Sequence, residues 1–314
     1  MSFVGLLMRL LDDATGFQIL FYRSLSLTLM VLLVVCLRRR ISPEKFIKMI
    51  DRHDLWMGGW LALAFATYIF SMLHTSVAST LLILTIAPFL AAIIAWKWIG
   101  EIPHPVTWPT MCLAIFGVGL MVYDGATLGY SLGNITAFVS AICFAMMLVI
   151  ARRSRKTDVL GGTFMAGIFS VMLGAIAAVL IDGALLIAHT DMLITLFMGA
   201  FTIGLGIALV TTGAGYLPAA EVSLLVLVES VLGPLWPWLF LGESLTKFEI
   251  IGGTITLAAV ITMTIAGRNN PHDTPARPWP AQKSYPAKLE RGLDYTRGGT
   301  LTGFALRTRS RWNA

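Results

Sequence analysis

Long apolar runs separated by short polar segments dominate the chain. Nine of them are long enough to cross a bilayer, since spanning needs about 17 to 25 apolar residues at about 1.5 Å rise each. They cover residues 17–37, 55–73, 77–99, 105–123, 131–151, 161–182, 192–213, 219–241 and 248–267. Because these runs do not alternate apolar and polar positions, they predict membrane helices rather than the strands of a membrane β-barrel.

The first residues form an apolar segment that is too short to span. Residues 1–11 lack both the basic start and the small-residue cleavage site of a signal peptide, so they predict half a helix. Either the true start lies upstream of Met1, or the first half of a tenth span has been lost. We favour an upstream start.

Two apolar segments, residues 75–101 and 217–243, are similar enough in sequence to indicate an internal repeat. At a constant offset of 142 residues the matched pairs are Ala78 and Ala220, Leu82 and Leu224, Leu90 and Leu232, Trp96 and Trp238, Gly100 and Gly242, and Glu101 and Glu243. The shared ending is the informative part, because an apolar composition alone does not predict a Gly-Glu pair behind aromatic residues. A duplicated membrane half is the simplest source.

Composition agrees with a membrane protein. The 314 residues are 57% hydrophobic and 13% charged, with a mean hydropathy of +0.79. All three cysteines lie inside or at the end of apolar runs, which predicts inert thiols. The net charge of +6 is explained by cytoplasmic loops at anionic lipid, so no nucleic-acid partner is needed.

Basic residues set the predicted topology. Residues 38–52 carry six Lys or Arg, residues 152–156 carry four, and the tail from Arg268 onward carries nine, whereas the opposite side carries only Lys247. By the positive-inside rule, the two loops and the C-terminal tail lie in the cytoplasm. Residues 268–314, which are rich in Pro, Arg, Gly and Thr, predict a disordered basic tail.

The spacing of the duplicated segments predicts an inverted repeat. Each repeat holds five spans, an odd number, so the second copy enters the membrane from the opposite side. The plan is an all-α polytopic membrane protein with nine complete spans and a half helix. We place the first repeat at residues 1–125, with an incomplete first helix, and the second at residues 131–267.

These motifs resemble the EamA type of the drug/metabolite transporter superfamily, which are ten-helix carriers built from two five-helix repeats. The resemblance covers about residues 1–267. The segments that carry it are Thr75-Ser-Val-Ala-Ser-Thr-Leu-Leu-Ile-Leu-Thr-Ile-Ala-Pro88 with Gly100-Glu101, then Ala219-Ala-Glu-Val-Ser-Leu-Leu-Val-Leu-Val-Glu229 with Gly242-Glu243, and the early Phe21-Tyr22-Arg23-Ser24. The chain departs from the family pattern at its incomplete first helix and at Ser230, where the resemblance leads us to expect proline.

The resemblance implies a secondary transporter of small organic metabolites, often an exporter, that works by alternating access in the cell inner membrane. It does not name the solute. The alternative is a non-transporting membrane receptor or scaffold.

Ionisable residues within the spans are the first candidates for function, because charge is costly in the hydrocarbon region. Glu229 lies near the midplane of its run, and Arg23 lies roughly 9 Å into its own. At these depths the two side chains can meet as an ion pair. Glu229 is a structural partner that fixes helix packing, a substrate ligand or proton carrier, or a residue of a helix face turned toward water at a vestibule. All three interpretations stay open.

Aromatic and acidic residues complete the candidate set. Trp60, Tyr68, Tyr216 and Trp236 could line an amphipathic cavity, although core packing is the better explanation for any single one of them. Glu101 and Glu243 follow tryptophans at membrane boundaries and predict helix-end anchors.

Several function classes are excluded or disfavoured. The chain contains no Gly-Lys dipeptide, so it has no phosphate-binding loop of the ATP-driven pumps. It lacks the HExxH motif, and its histidines are too scattered for a metal site. We therefore expect no enzyme activity, cofactor or metal, but a small organic solute and membrane lipid as partners.

Overall fold

The computed structural model describes residues 2–100, 105–127, 131–154, 160–207, 209, 232–243 and 245–268, and this part of the chain is helical without strands. The first hundred residues form α1 (Val4–Arg9), α2 (Gly16–Arg39), α3 (Pro43–Lys48), α4 (Arg52–His74), α5 (Val77–Leu84) and α6 (Ala87–Ile99). The later described segments form α7 (Thr107–Thr127), α8 (Ser131–Arg153), α9 (Leu160–Ala177), α10 (His189–Phe197), α11 (Leu232–Leu241) and α12 (Lys247–Arg268). Helices α9 and α10 continue as π-helical turns over Ala178–Asp182 and Met198–Leu205.

Five helical segments are long and apolar enough to cross a membrane. They are Gly16–Arg39, Arg52–His74, Val77–Ile99, Ser131–Ala151 and Leu160–Asp182. Shorter apolar helices occupy Trp108–Leu120, His189–Leu205 and Leu232–Leu241. The prediction of an all-helical, multi-pass membrane protein is therefore confirmed.

Local sequence explains where the spanning helices begin and end. Thr15 with Gln18, and Asp51 with Asp54, form capping boxes that satisfy backbone N–H groups at the starts of α2 and α4. At the other ends, Gly100 and Gly242 have φ of 79° and 68°. This left-handed conformation favours glycine. The same backbone requirement therefore explains why glycine stands at both positions of the duplicated Gly-Glu pair.

The run 77–99 is predicted as one helix but is broken near its middle. Helix α5 ends at Leu84, and α6 begins at Ala87, with Pro88 in its first turn. Proline lacks the N–H that would bond back to Leu84 and its ring crowds that turn, which explains the interruption.

The core is formed by pairs of packed helices. Helix α2 packs against α9, α4 against α8 and α9, and α7 against α12. At the α7–α12 contact, a Cβ added to Gly117 would come within 2.6 Å of the Gly252 carbonyl oxygen, so only glycine allows this approach. Gly59 and Gly119, two other glycines of the spans, have open space around them instead.

The bundle has two chemically different ends. The start of α4 meets the start of α9, since a Cβ on Gly161 would lie 2.8 Å from Asp54 Oδ1. The basic segments that precede α4 and α9 therefore lie at the same end of the bundle, which we call the basic end. The opposite end, which we call the clamp end, holds Arg9 and Glu243.

Candidate functional site

Arg23 is enclosed inside the bundle about two turns into α2. Its side chain has no exposed surface, and none of its three guanidinium nitrogens has a hydrogen-bond partner within the part of the chain that the structure describes. It is also the one basic residue that is buried among those the structure describes. A charge in such a place is costly without compensation, which marks the position as a functional candidate.

Two aromatic residues of α4 lie beside this guanidinium. The Cζ atom of Arg23 is 5.0 Å from the centroid of the Phe65 ring, a cation–π contact. Tyr68, almost one turn further along α4, lies near enough to interact electrostatically with Arg23. The structure thus brings together two of the predicted site residues, Arg23 and Tyr68, and adds Phe65.

The backbone around Arg23 is packed closely against α10. A Cβ on Gly199 would overlap the Arg23 carbonyl oxygen, and that oxygen accepts a hydrogen bond of 3.0 Å from Ser26 Oγ. Gly199 belongs to the π-helical segment Met198–Leu205. Single π-helical turns occur frequently at functional sites, so this contact adds weight to the position.

Two unpaired hydroxyl groups lie on the same helix pair. Ser24 Oγ on α2 and Ser170 Oγ on α9 are both buried without a hydrogen-bond partner. The two helices approach closely at Gly167, whose added Cβ would overlap Thr28. Polar groups without partners are rare in a packed interior, and here they surround the α2–α9 contact.

The other predicted site residues fall elsewhere. Trp60 packs at the contact of α4 with α8, near Met57 and Leu61. Trp236 stacks on Phe3 at 4.6 Å between ring centroids, and its Nε1 donates to Ser2 Oγ. Trp236 is thus part of the contact with the N-terminal segment. The remaining three, Glu229, Tyr216 and Glu101, lie outside the described residues.

Glu243 joins three parts of the clamp end. Its two carboxylate oxygens accept hydrogen bonds of 3.1 Å from Arg9 Nε and Nη2. Oε1 also accepts from the backbone N–H of Val77, at the start of α5, and Arg9 Nη2 donates to the Thr75 carbonyl oxygen at 2.7 Å. We call Arg9, Thr75, Val77 and Glu243 the clamp, because they hold α1, α5 and the end of α11 together.

A second carboxylate lies under the clamp. Glu249, at the start of α12, is only 5% exposed and accepts hydrogen bonds from Ser76 Oγ, from Ser79 Oγ at 2.6 Å and from the Thr246 N–H at 2.9 Å. It therefore ties the start of α12 to the start of α5. Sequence reasoning missed Glu249 and Arg9. The sequence signal that could have identified them is a charged residue in an end turn of an apolar helix: Arg9 lies in the last turn of α1, and Glu249 lies in the first turn of α12.

A third polar group closes the same end beside α2. Thr15 Oγ1 donates to Asp182 at 2.5 Å, and Gln18 Nε2 donates to the Ala184 carbonyl oxygen at 3.0 Å. Asp191 accepts from the backbone N–H groups of Asp13 and Ala14. All these contacts join the segment before α2 to the α9–α10 connection.

The described residues contain no group of three or more His, Cys, Asp or Glu side chains arranged to hold a metal ion. The chemistry available at Arg23 is therefore that of a buried cation between aromatic and aliphatic side chains. Such a group binds an oxyanion through charge-assisted hydrogen bonds.

Comparison with known proteins points to membrane transport. Residues 131–265 match the EamA-like transporter family. A protein of Archaeoglobus fulgidus described as an uncharacterized transporter is 26% identical over 212 residues, which is 67% of this chain and 76% of that protein. The uncharacterized transporter YvbV of Bacillus subtilis is 39% identical over 74 residues, 24% of this chain and 21% of YvbV.

A solved crystal structure shares the fold. It superposes with a TM-score of 0.60 at 16% sequence identity, over 86% of this chain and 94% of the other. At this identity the likeness concerns the arrangement of helices alone.

Proposed function

We propose that this chain is an EamA-type membrane transporter of the drug/metabolite superfamily, and that it exports small organic metabolites as a secondary carrier. The observation that carries the proposal is Arg23, a fully buried cation whose guanidinium has no hydrogen-bond partner among the described residues. A structural arginine in a lipid-embedded bundle would need paired acceptors, whereas a carrier needs an unoccupied polar group for its solute.

Alternating access between two inverted five-helix repeats is the proposed mechanism. The 142-residue offset of the duplicated segments supports it, because the same offset recurs in a contact between helices. Thr256 Oγ1 on α12 lies 3.5 Å from the carbonyl oxygen of Ala114 on α7, its counterpart 142 residues earlier. Equivalent residues meet in this way where two helices cross at a pseudo-twofold axis.

The proposed orientation places the basic end in the cytoplasm. The loops with Arg38–Arg40 and Arg152–Arg153 share that end, in keeping with the positive-inside rule. The clamp end then faces outward, and the C-terminal tail, residues 268–314, lies in the cytoplasm. We place the protein in the cell inner membrane with nine complete spans and a half helix, over repeats 1–125 and 131–267.

The transport cycle that we propose opens and closes the two ends in turn. In this proposed cycle, the clamp, Glu249 and the Thr15–Asp182 contact are the interactions that close the outward end. Export requires these contacts to separate after the solute has bound from the cytoplasmic side. The solute or proton pathway that we propose includes Glu229, Arg23, Trp60, Tyr68, Tyr216 and Trp236.

The proposal is tested by reconstituting the full chain in lipid vesicles and measuring efflux of a metabolite panel, with and without an imposed pH gradient. A carrier moves solute unchanged and saturably, and vesicles that carry no protein provide the control. Absence of flux for every solute would favour a receptor or scaffold, and chemical conversion of a solute would indicate an enzyme.

A further inference from the structure

We infer that the solute is an organic anion with an apolar body, and that its carboxylate binds Arg23. This inference rests on the proposed function, since it assigns the solute class of the same carrier. It starts from the charge at Arg23, which needs a partner.

The first step is the balance of charge. Arg23 is fully buried, and no ion pair of the described residues includes it. An arginine cannot escape the cost of burial by losing its proton, because guanidinium stays charged in proteins. Among the described residues no carboxylate compensates this charge, so an anionic solute that does so gains binding energy.

The second step is the geometry of the guanidinium. Phe65 contacts Arg23 through a cation–π interaction, with 5.0 Å between Cζ and the ring centroid. This interaction uses the face of an aromatic ring and satisfies no N–H donor. None of the five N–H donors of the guanidinium is used by another described residue, and their planar arrangement matches the two oxygens of a carboxylate.

The third step concerns the rest of the solute. Ile19, Leu20 and Leu27, about one turn before and after Arg23 on α2, are fully buried and belong to one core cluster with Ile69 of α4. One buried cation in apolar surroundings suits one negative charge on an aliphatic or aromatic body. A polyanion would meet no second buried Lys or Arg among the described residues, and Arg23 would repel a cationic solute.

The experiment uses the purified full-length protein and four probes at pH 7.5. Phenylpyruvate and 4-methyl-2-oxopentanoate are anions at this pH, phenylacetamide is neutral and phenethylammonium is a cation. Binding is measured from the shift of the melting temperature in detergent, and transport from exchange in proteoliposomes. We expect both anions to stabilise the protein and exchange, and the amide and the amine to do neither.

Variants then assign the anion to Arg23. Arg23→Gln should weaken anion binding by roughly 10- to 100-fold, the effect of removing charge-assisted hydrogen bonds. Arg23→Lys keeps the positive charge but loses the planar set of guanidinium donors. Its anion affinity should therefore lie between those of the unaltered protein and Arg23→Gln. The matched control is Arg153→Gln, which removes an arginine that also contacts an aromatic ring, Trp98 at 5.2 Å, but at the end of α8.

The outcomes are distinct. Exchange of the amide or the amine without any anion would overturn the inference while leaving the carrier intact, as would unchanged anion affinity in Arg23→Gln. If Arg23→Gln does not fold, the probe comparison in the unaltered protein and Arg23→Lys decide the question. No exchange of any solute by a folded protein would overturn the proposed carrier itself, and the assignment of a transported anion with it.

Discussion

Arg23 shows how one residue can be identified by sequence and yet be understood only in space. Its position inside an apolar run singles it out as costly. The pattern predicts Glu229 as its partner, and that pairing stays a prediction because Glu229 lies outside the described residues. The contact with Phe65 brings together residues 42 positions apart, which no local pattern signals.

Glu229 carries a prediction for proton coupling. In Glu229→Gln, transport driven by a pH gradient should be abolished while the protein folds normally, because the amide cannot exchange a proton. The measurement is solute flux in vesicles with an imposed gradient, alongside the melting temperature. The matched control is Glu221→Gln, eight residues earlier in the same apolar run, which the sequence predicts to lie near the cytoplasmic boundary. Undiminished flux in Glu229→Gln would remove this residue from the mechanism.

Gly100 and Gly242 carry a prediction for stability. Replacing either by alanine should lower the free energy of unfolding by about 1 kcal/mol, since a side chain disfavours positive φ. Gly119→Ala is the control, because nothing lies within 4 Å of an added Cβ there. Thermal or denaturant unfolding in detergent measures the difference. Equal effects at all three positions would contradict the conformational explanation.

At the scale of helices, the half helix α1 is an integral part of the bundle. Val4 and Met8 are buried in the same core as Val77 and Leu81 of α5. Arg9 at its end joins Glu243 and Thr75. The sequence predicts Glu243 as a helix-end anchor, and the structure adds that its partner is an arginine 234 residues away.

The clamp predicts coupling between Arg9 and Glu243. Arg9→Gln and Glu243→Gln should each destabilise the protein, and the double variant should lose less than their sum by about 1 kcal/mol, since both single changes break one bidentate pair. A double-mutant cycle of unfolding free energies measures this. Arg52→Gln, an exposed arginine at the basic end, controls for net charge, and strict additivity would show that the pair does not interact.

At the scale of the whole molecule, the surrounding lipid explains which side chains lie on the outside of the helix bundle. Large apolar side chains such as Leu29, Phe116 and Leu180 are 59%, 60% and 78% exposed, which suits a bundle surrounded by hydrocarbon chains. The interior, in contrast, uses glycine contacts and a few polar groups. Proposed inverted repeats give the same fold two opposite orientations across the membrane.

Topology is tested by site-directed labelling. In a variant without Cys36, Cys112 and Cys143, single cysteines at Ser154 and Lys247 should react with a membrane-impermeant maleimide from opposite sides. Ser154→Cys should require permeabilised cells, whereas Lys247→Cys should react in intact cells. Ser42→Cys provides a second cytoplasmic position. Labelling of positions 154 and 247 from one side would rule out the inverted arrangement.

The sequence by itself determined the helical membrane class and the long apolar segments, because burial in lipid acts on local residue patterns. It singled out the two Gly-Glu pairs, but the left-handed conformation of Gly100 and Gly242 came from the structure. It also singled out Arg23 by type and depth. Tertiary structure alone decided that Phe65 lies beside Arg23 and that Arg9 pairs with Glu243. It also decided that Glu249 accepts hydrogen bonds from the hydroxyl groups of Ser76 and Ser79. These contacts join distant segments, and the packing of whole helices sets their geometry rather than the residues on either side.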